Sequence, residues 1–139
     1  MNAKYSFTVR WGDTDAAAIV FYPNFYKWMN EATQEFMKNI GYSCSTLLAE
    51  QNISVPLVET HCVFKRPLVF EDQVVVNSSV EEIHNKVFKI KHIFVKEEQV
   101  VAEGYEIRAW TSFDGKPKAV PIPNEIRERM MPQIETVEG

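Results

Sequence analysis

What most restricts the fold of this chain is a change of hydrophobic period that happens at one place. Between residues 23 and 40, Phe25, Trp28, Met29, Ala32, Phe36 and Ile40 recur every three or four positions, with Lys27, Asn30, Glu31, Gln34, Glu35 and Lys38 between them. That spacing lays an apolar stripe along one face of an α-helix. Pro23 suits the first turn, where no N–H is needed, and Gly41 suits the residue just past the end. No other stretch supports a helix of this length. Residues 4–11 alternate instead, with Tyr5, Phe7, Val9 and Trp11 on one face and Lys4, Ser6, Thr8 and Arg10 on the other, a half-buried strand.

After a further helical turn or two within residues 45–51, the chain turns to strands. Residues 55–65, 73–83, 86–96 and 99–113 are rich in Val, Ile, Phe and Tyr. His84-Asn85 and Lys96-Glu97-Glu98 read as hairpin connections, Pro67 closes the first of these strands, and Asp114-Gly115 marks a tight turn. A short helix is expected over residues 124–131. The order predicts an α+β fold in which an antiparallel sheet of about five strands wraps one long helix, the four later strands joined in sequence as a meander. One helix cannot cover both faces of such a sheet, so a homodimer or homotetramer is expected to remove the remaining apolar surface and a sheet edge. No repeat or linker divides residues 1–139, which read as one domain with an acidic, frayed tail at 135–139.

Composition narrows the function classes. With 45% hydrophobic and 24% charged residues the chain has the balance of a globular protein. A net charge of -4 disfavours a nucleic-acid partner. The longest apolar run, residues 16–22, is too short to span a bilayer, and Arg10 and Asp13 interrupt any leader-like segment, so no membrane partner is expected. Two cysteines, Cys44 and Cys62, make neither a disulfide framework nor a zinc site by themselves and suit reduced thiols in a cytoplasmic protein.

The segment that carries chemistry is Gly12-Asp13-Thr14-Asp15-Ala16-Ala17-Ala18-Ile19-Val20-Phe21-Tyr22-Pro23-Asn24-Phe25. It sets two acids on a loop and then delivers the chain to the amino end of the long helix, where N–H groups lack helical partners. Pro23 has no N–H, so the candidate donors are the amides of Tyr22, Asn24 and Phe25. A carbonyl oxygen placed there gains hydrogen bonds that strengthen as negative charge develops on it. A carboxylate a few residues upstream can reach the same carbonyl carbon, directly or through water. The same aspartates equally serve as turn formers or helix caps.

The run WGDTDAAAIVFYPNFYKWMNEA, residues 11–32, resembles the signature of the 4-hydroxybenzoyl-CoA thioesterase family of hotdog-fold enzymes. The likeness rests on the Gly-Asp-x-Asp loop, the small apolar turn and the Tyr-Pro-Asn-aromatic helix start. It continues more loosely through Phe70-Glu71-Asp72 and the hairpin of residues 82–88. The resemblance implies a hotdog fold and acyl-CoA thioester hydrolysis, with Asp15 as the catalytic carboxylate and the Tyr22 backbone N–H as the carbonyl-polarising donor. Asp13 then organises the loop. The resemblance also places His84, Asn85 and Lys86 where relatives set a basic cluster against the nucleotide phosphates, although a solvated hairpin needs a lysine just as well. Lys65 and Arg66 form a further possible phosphate contact. Relatives carry glycine at the position of Ala18, so a positive φ there would be disfavoured for this chain. The implied pocket lies between subunits. No cofactor is implied, coenzyme A being part of the substrate.

Other sites are weaker. His61, His84 and His92 lack metal-ligand spacing, so no metal is expected. His61 and Cys62 are adjacent in a strand and therefore point to opposite faces; His61 shares its face with Glu59, a polar pair beside the sheet. Trp11, Trp28 and Trp110 fit apolar faces and read as core or interface. An aromatic, hydroxybenzoyl-type acyl group is the first expectation. Short or branched aliphatic acyl-CoA, acyl groups on an acidic carrier protein, and a silent acyl-CoA-binding hotdog are the alternatives.

Overall fold

The computed structural model describes residues 2–131; the tail expected to fray lies outside them. Strand β1 (Asn2–Thr8) leads through a short 3-10 turn at Trp11–Asp13 to helix α1 (Pro23–Asn39), then to α2 (Cys44–Gln51). Strands β2 (Ile53–Ser54), β3 (Leu57–Phe64), β4 (Gln73–Ile83), β5 (Val87–Lys96), β6 (Gln99–Ala109), β7 (Thr111–Ser112) and β8 (Lys118–Ala119) follow, and α3 (Asn124–Met130) comes last. The long helix ends as its sequence predicts. Gly41 takes φ +93°, and the N–H groups of Gly41 and Tyr42 donate back to the carbonyls of Lys38 and Met37.

Five strands form one antiparallel sheet in the order β1-β4-β5-β6-β3, and β2, β7 and β8 form a second, small one. The meander expected of the four later strands holds only for β4, β5 and β6. Strand β3 does not pair with β4; it crosses to the far side of the sheet and pairs with β6. The reason lies in residues 65–72, too long a connection for a hairpin. Its backbone bonds to three separate segments: Lys65 and Arg66 donate to Val101, Leu68 accepts from Val20, and Glu71 donates to Val9. The vacated edge of β4 is taken by β1.

Period-two alternation decides the inner face. Val74, Val76, Ser78 and Val80 of β4, and Phe88, Ile90, His92 and Phe94 of β5, are all buried. Helix α1 lies against this face and buries Phe25, Trp28, Met29, Ala32, Thr33, Phe36 and Met37. At Gly104 of β6 a Cβ would come within 2.6 Å of the Met29 sulfur and of the His61 carbonyl, so only glycine admits the helix this closely. Two apolar clusters result, one around Phe36, Ile40, Phe88 and Trp110, the other around Phe25, Trp28, Val76 and Phe94. Trp11 belongs to neither. The strand expected to reach it stops at Thr8, and the 3-10 turn swings the indole out to 73% exposure, edge-on to Phe70.

Candidate active site

The chain leaves β1 into a loop held by its own polar groups. Asp13 Oδ2 accepts the Arg10 N–H at 2.8 Å, the loop-organising role expected of it. Thr14 and Val20 then bridge as a short hairpin, and the Asp15 N–H donates to Ile19 at 3.0 Å. Inside this hairpin the Ala17 N–H donates to Asp15 Oδ1 at 2.9 Å, which leaves Oδ2 without an acceptor's role among the described residues. The Asp15 side chain is exposed.

The turn that aims this carboxylate needs a left-handed residue, and Ala18 supplies it at φ 66°. Alanine is disfavoured there by roughly 1 kcal/mol, part of which glycine returns through its freer unfolded state. Ala18→Gly is therefore expected to stabilise the protein by about 0.5–1 kcal/mol, read as a higher urea midpoint at unchanged m-value.

Three main-chain donors compete for the site at the start of α1. The Asn24 N–H is engaged by the Phe21 carbonyl at 3.0 Å and the Phe25 N–H by the Tyr22 carbonyl at 3.1 Å. The Phe21 N–H goes to Asp13 at 2.8 Å. Only the Tyr22 N–H has no acceptor among the described residues. Tyr22 itself is already helical at φ −56°, ψ −32°, so this N–H lies along the helix axis direction at its positive end.

Two clefts flank the hairpin. One, of about 410 Å³, is lined by Trp11, Asp15, Ala18, Val69 and Phe70. The other, of about 360 Å³, is lined by Ile19, Tyr22, Phe25 and Phe64, with Lys65 and Arg66 among its walls. Asp15 on the hairpin and Tyr22 at the helix start thus line different clefts of the single chain. Lys65 is tied to Glu103 at 3.2 Å.

The structure does not bring His84, Asn85 and Lys86 to this place. They form the turn after β4, whereas the Asp15 loop adjoins the beginning of that strand. Eleven residues of strand separate them, roughly 35 Å if extended. The His84 imidazole is paired with Glu82 at 3.0 Å, and the His84 and Asn85 carbonyls accept from Arg127 of α3. Lys86 is exposed.

His61 and Cys62 point apart as expected: His61 stacks on Tyr105 in the open, while Cys62 is buried and its thiol is pushed up to about 11 by burial. Glu59 is paired, but with the Tyr105 hydroxyl at 2.6 Å rather than with His61. Both cysteines are free.

One constellation has no counterpart in the sequence reading. Between the two apolar clusters lies a buried polar belt. The Thr33 hydroxyl donates to Glu106, which the Arg108 guanidinium grips from Nε at 2.8 Å and Nη2 at 3.0 Å. Because the one Thr33 proton goes to Glu106, His92 Nε2, 2.9 Å away, must be the donor to Thr33. His92 Nδ1 lies 2.7 Å from the Ser78 hydroxyl, a hydrogen bond on its other side. Arg108 also donates to the Val55 carbonyl and to Asn30 on α1, each at 2.9 Å. Although burial works to raise it, the His92 imidazole 3.6 Å away and the bonds from Arg108 and Thr33 hold the Glu106 carboxyl down at about 2. Among the described residues no buried side-chain nitrogen or oxygen lacks a partner.

Comparison with known proteins decides the family. The model of the thioesterase-like superfamily matches residues 9–130. The chain belongs to the thioesterase-like superfamily. Among solved structures, a gentisyl-coenzyme A thioesterase is 43% identical with a TM-score of 0.82, over 92% of this chain and 98% of that one. A mutant 4-hydroxybenzoyl-CoA thioesterase complexed with 4-hydroxybenzoyl-CoA shares the fold at a TM-score of 0.87 and 23% identity, over 93% and 98%. A 1,4-dihydroxy-2-naphthoyl-CoA hydrolase from Prochlorococcus marinus is 28% identical over 123 residues, 85% of this chain and 81% of that one. The α+β architecture, an antiparallel sheet against one long helix, is therefore the hotdog fold. Among the described residues no helix is long and apolar enough to cross a membrane.

Proposed function

We propose that this superfamily member hydrolyses acyl-CoA thioesters, with an aromatic acyl group of the hydroxybenzoyl type as substrate, and that Asp15 and the Tyr22 N–H carry the reaction. The relatives named above act on gentisyl-, hydroxybenzoyl- and dihydroxynaphthoyl-CoA, all aryl thioesters. The single observation that carries the site is the hydrogen-bond pattern of the hairpin and helix start: among the described residues the one unengaged main-chain donor at the start of α1 is Tyr22, seven positions from a carboxylate with a free oxygen.

In this reading the thioester oxygen takes the Tyr22 N–H, so the carbon becomes electrophilic and the developing oxyanion has a fixed donor. Asp15 Oδ2 then removes a proton from water as its oxygen bonds to the carbon, and collapse of the tetrahedral species breaks the C–S bond. The thiolate leaves with the electron pair and takes the proton held by Asp15. Attack by Oδ2 itself would instead give an aspartyl anhydride that water opens. Water and a carboxylate suffice for either route. Single turnover in heavy-oxygen water separates general-base attack from an anhydride opened at the aspartyl carbonyl: the first puts the label into the product acid, the second puts it into Asp15 and sends an unlabelled Asp15 oxygen out with the product.

A second copy completes the site. Strand β3 is an open edge carrying exposed Leu57, Val58, Val63 and Phe64, and the Tyr22 cleft opens beside it. Pairing of two such edges makes a homodimer, with a tetramer as the further assembly, and surrounds the hairpin with partner residues. Lys86, flanked by His84 and Asn85, then meets the nucleotide phosphates of a coenzyme A whose thioester lies at another protomer's Asp15. The free thiols of Cys44 and Cys62 fit a cytoplasmic enzyme.

A panel of aryl-CoA, short aliphatic acyl-CoA and acyl-carrier-protein thioesters, followed by thiol release, tests the proposal. The hydroxybenzoyl-type esters are expected to turn over fastest. Preference for aliphatic or carrier-bound esters overturns the substrate class, and binding without thiol release overturns the hydrolase.

A further inference from the structure

We infer that Asn24 is a positioning residue for the polarising amide, holding the Tyr22 N–H in register with Asp15; this rests on the hydrolase reading above. Asn24 is the second residue of α1 and is half-buried. An asparagine at the start of a helix ordinarily serves as a cap, accepting an N–H bond. Here it does the reverse. No side-chain cap bond is made, and the Asn24 Nδ2 donates at 2.9 Å to the main-chain carbonyl of Asp13.

That carbonyl is a node. It also accepts the Phe21 N–H at 2.8 Å, and the Phe21 carbonyl in turn accepts the Asn24 N–H at 3.0 Å. The three bonds close a ring through Asp13, Phe21 and Asn24. Asp15 lies two residues beyond one corner of that ring, and Tyr22 lies between the other two corners. The two reacting groups therefore hang from the same brace, which fixes the hairpin to the helix start. The side-chain bond is the member of the ring that a substitution removes while leaving the main chain as it is. Reacting groups displaced by an ångström cost about a hundredfold in rate, so a brace of this kind acts on turnover rather than on substrate affinity.

The test compares Asn24→Asp, which keeps the shape but has no N–H to donate, with Asn24→Ala. Both are expected to lower kcat about ten- to a hundredfold while KM stays within about threefold. A spectroscopic readout separates positioning from loosened structure. In an Asp15→Asn background, bound 4-hydroxybenzoyl-CoA is expected to show a red-shifted thioester carbonyl signal, and adding either Asn24 substitution is expected to shrink that shift. The inference is overturned if kcat holds, if KM rises as much as kcat falls, or if the carbonyl shift is unchanged. It is overturned too if both variants fail to fold, since Asn24 would then serve folding. Loss of turnover in Asp15→Asn with Asn24 variants fully active removes this inference alone. Full turnover in Asp15→Asn removes the hydrolase site and this inference with it.

Discussion

Asp15→Asn is expected to lower kcat by roughly two to four orders of magnitude, the usual cost of losing a general acid–base group, and to leave the fold intact. The side-chain oxygen that accepts the Ala17 N–H survives as the amide oxygen, so the hairpin keeps its shape. The oxygen that must accept a proton is replaced by an NH2 that cannot. Exposure of Asp15 in the single chain means no buried charge is created or relieved, so the melting temperature is expected to move little. Thiol release measured at saturating aryl-CoA, with a melting curve beside it, checks both halves. Equal turnover in the two proteins would remove Asp15 from the chemistry.

The second large effect lies in the polar belt. Arg108→Met strands the Glu106 carboxylate among buried groups and is expected to cost about 3–5 kcal/mol, a large share of a domain's total stability. The double variant Glu106→Gln with Arg108→Met removes both charges and is expected to recover part of that loss, which urea unfolding would show as coupling between the sites. The same pair makes a pH prediction. Glu106 ionises at about 2 in the folded protein against an ordinary value of 4.5, so folding favours its charged form. That contribution, on the order of 3 kcal/mol, is fully present above the unfolded value and disappears as pH falls from about 4.5 to about 2. Glu106→Gln is expected to flatten the acid limb of the stability curve. An acid limb identical to that of the native protein would show that other carboxylates set it.

The helix and the strands were legible because their signals are local. Phe25, Trp28, Ala32 and Phe36 share a helix face whatever surrounds them, and Val74, Val76 and Val80 share a strand face. The partner of β3 was not legible, since nothing in residues 57–64 states which strand edge is free; that is settled by where residues 65–72 find their backbone partners. Trp11 misled for a related reason. Its phase in the alternation was right, but the Gly12-Asp13 turn ended the strand before the phase could act. In the site, the GDTD loop and the helix start were readable as chemistry, and family likeness assigned roles to Asp15 and Tyr22. Which amide stays unengaged was not readable, because it depends on bonds from Asn24 and Phe21 to Asp13. The polar belt did leave a trace: Glu106 and Arg108 fall in phase with Ala102 and Trp110, and His92 with Phe88 and Phe94, so charged groups stand at inward positions. Their partners come from α1, β4 and β5, scattered along the chain, and periodicity cannot pair them.

The sheet has two borders of unlike chemistry. Along β1 the outward side chains are Lys4, Ser6 and Thr8, a charged and hydroxylated rim that discourages annexation by another strand; along β3 they include valines and phenylalanine. In the proposed homodimer, joining through the apolar border would use it up in a single twofold contact and leave the two β1 rims at the ends of the sheet. Growth by this route halts at a pair instead of running on into a fibre. Lys4 thus lies on the border opposite the one through which the proposed homodimer joins.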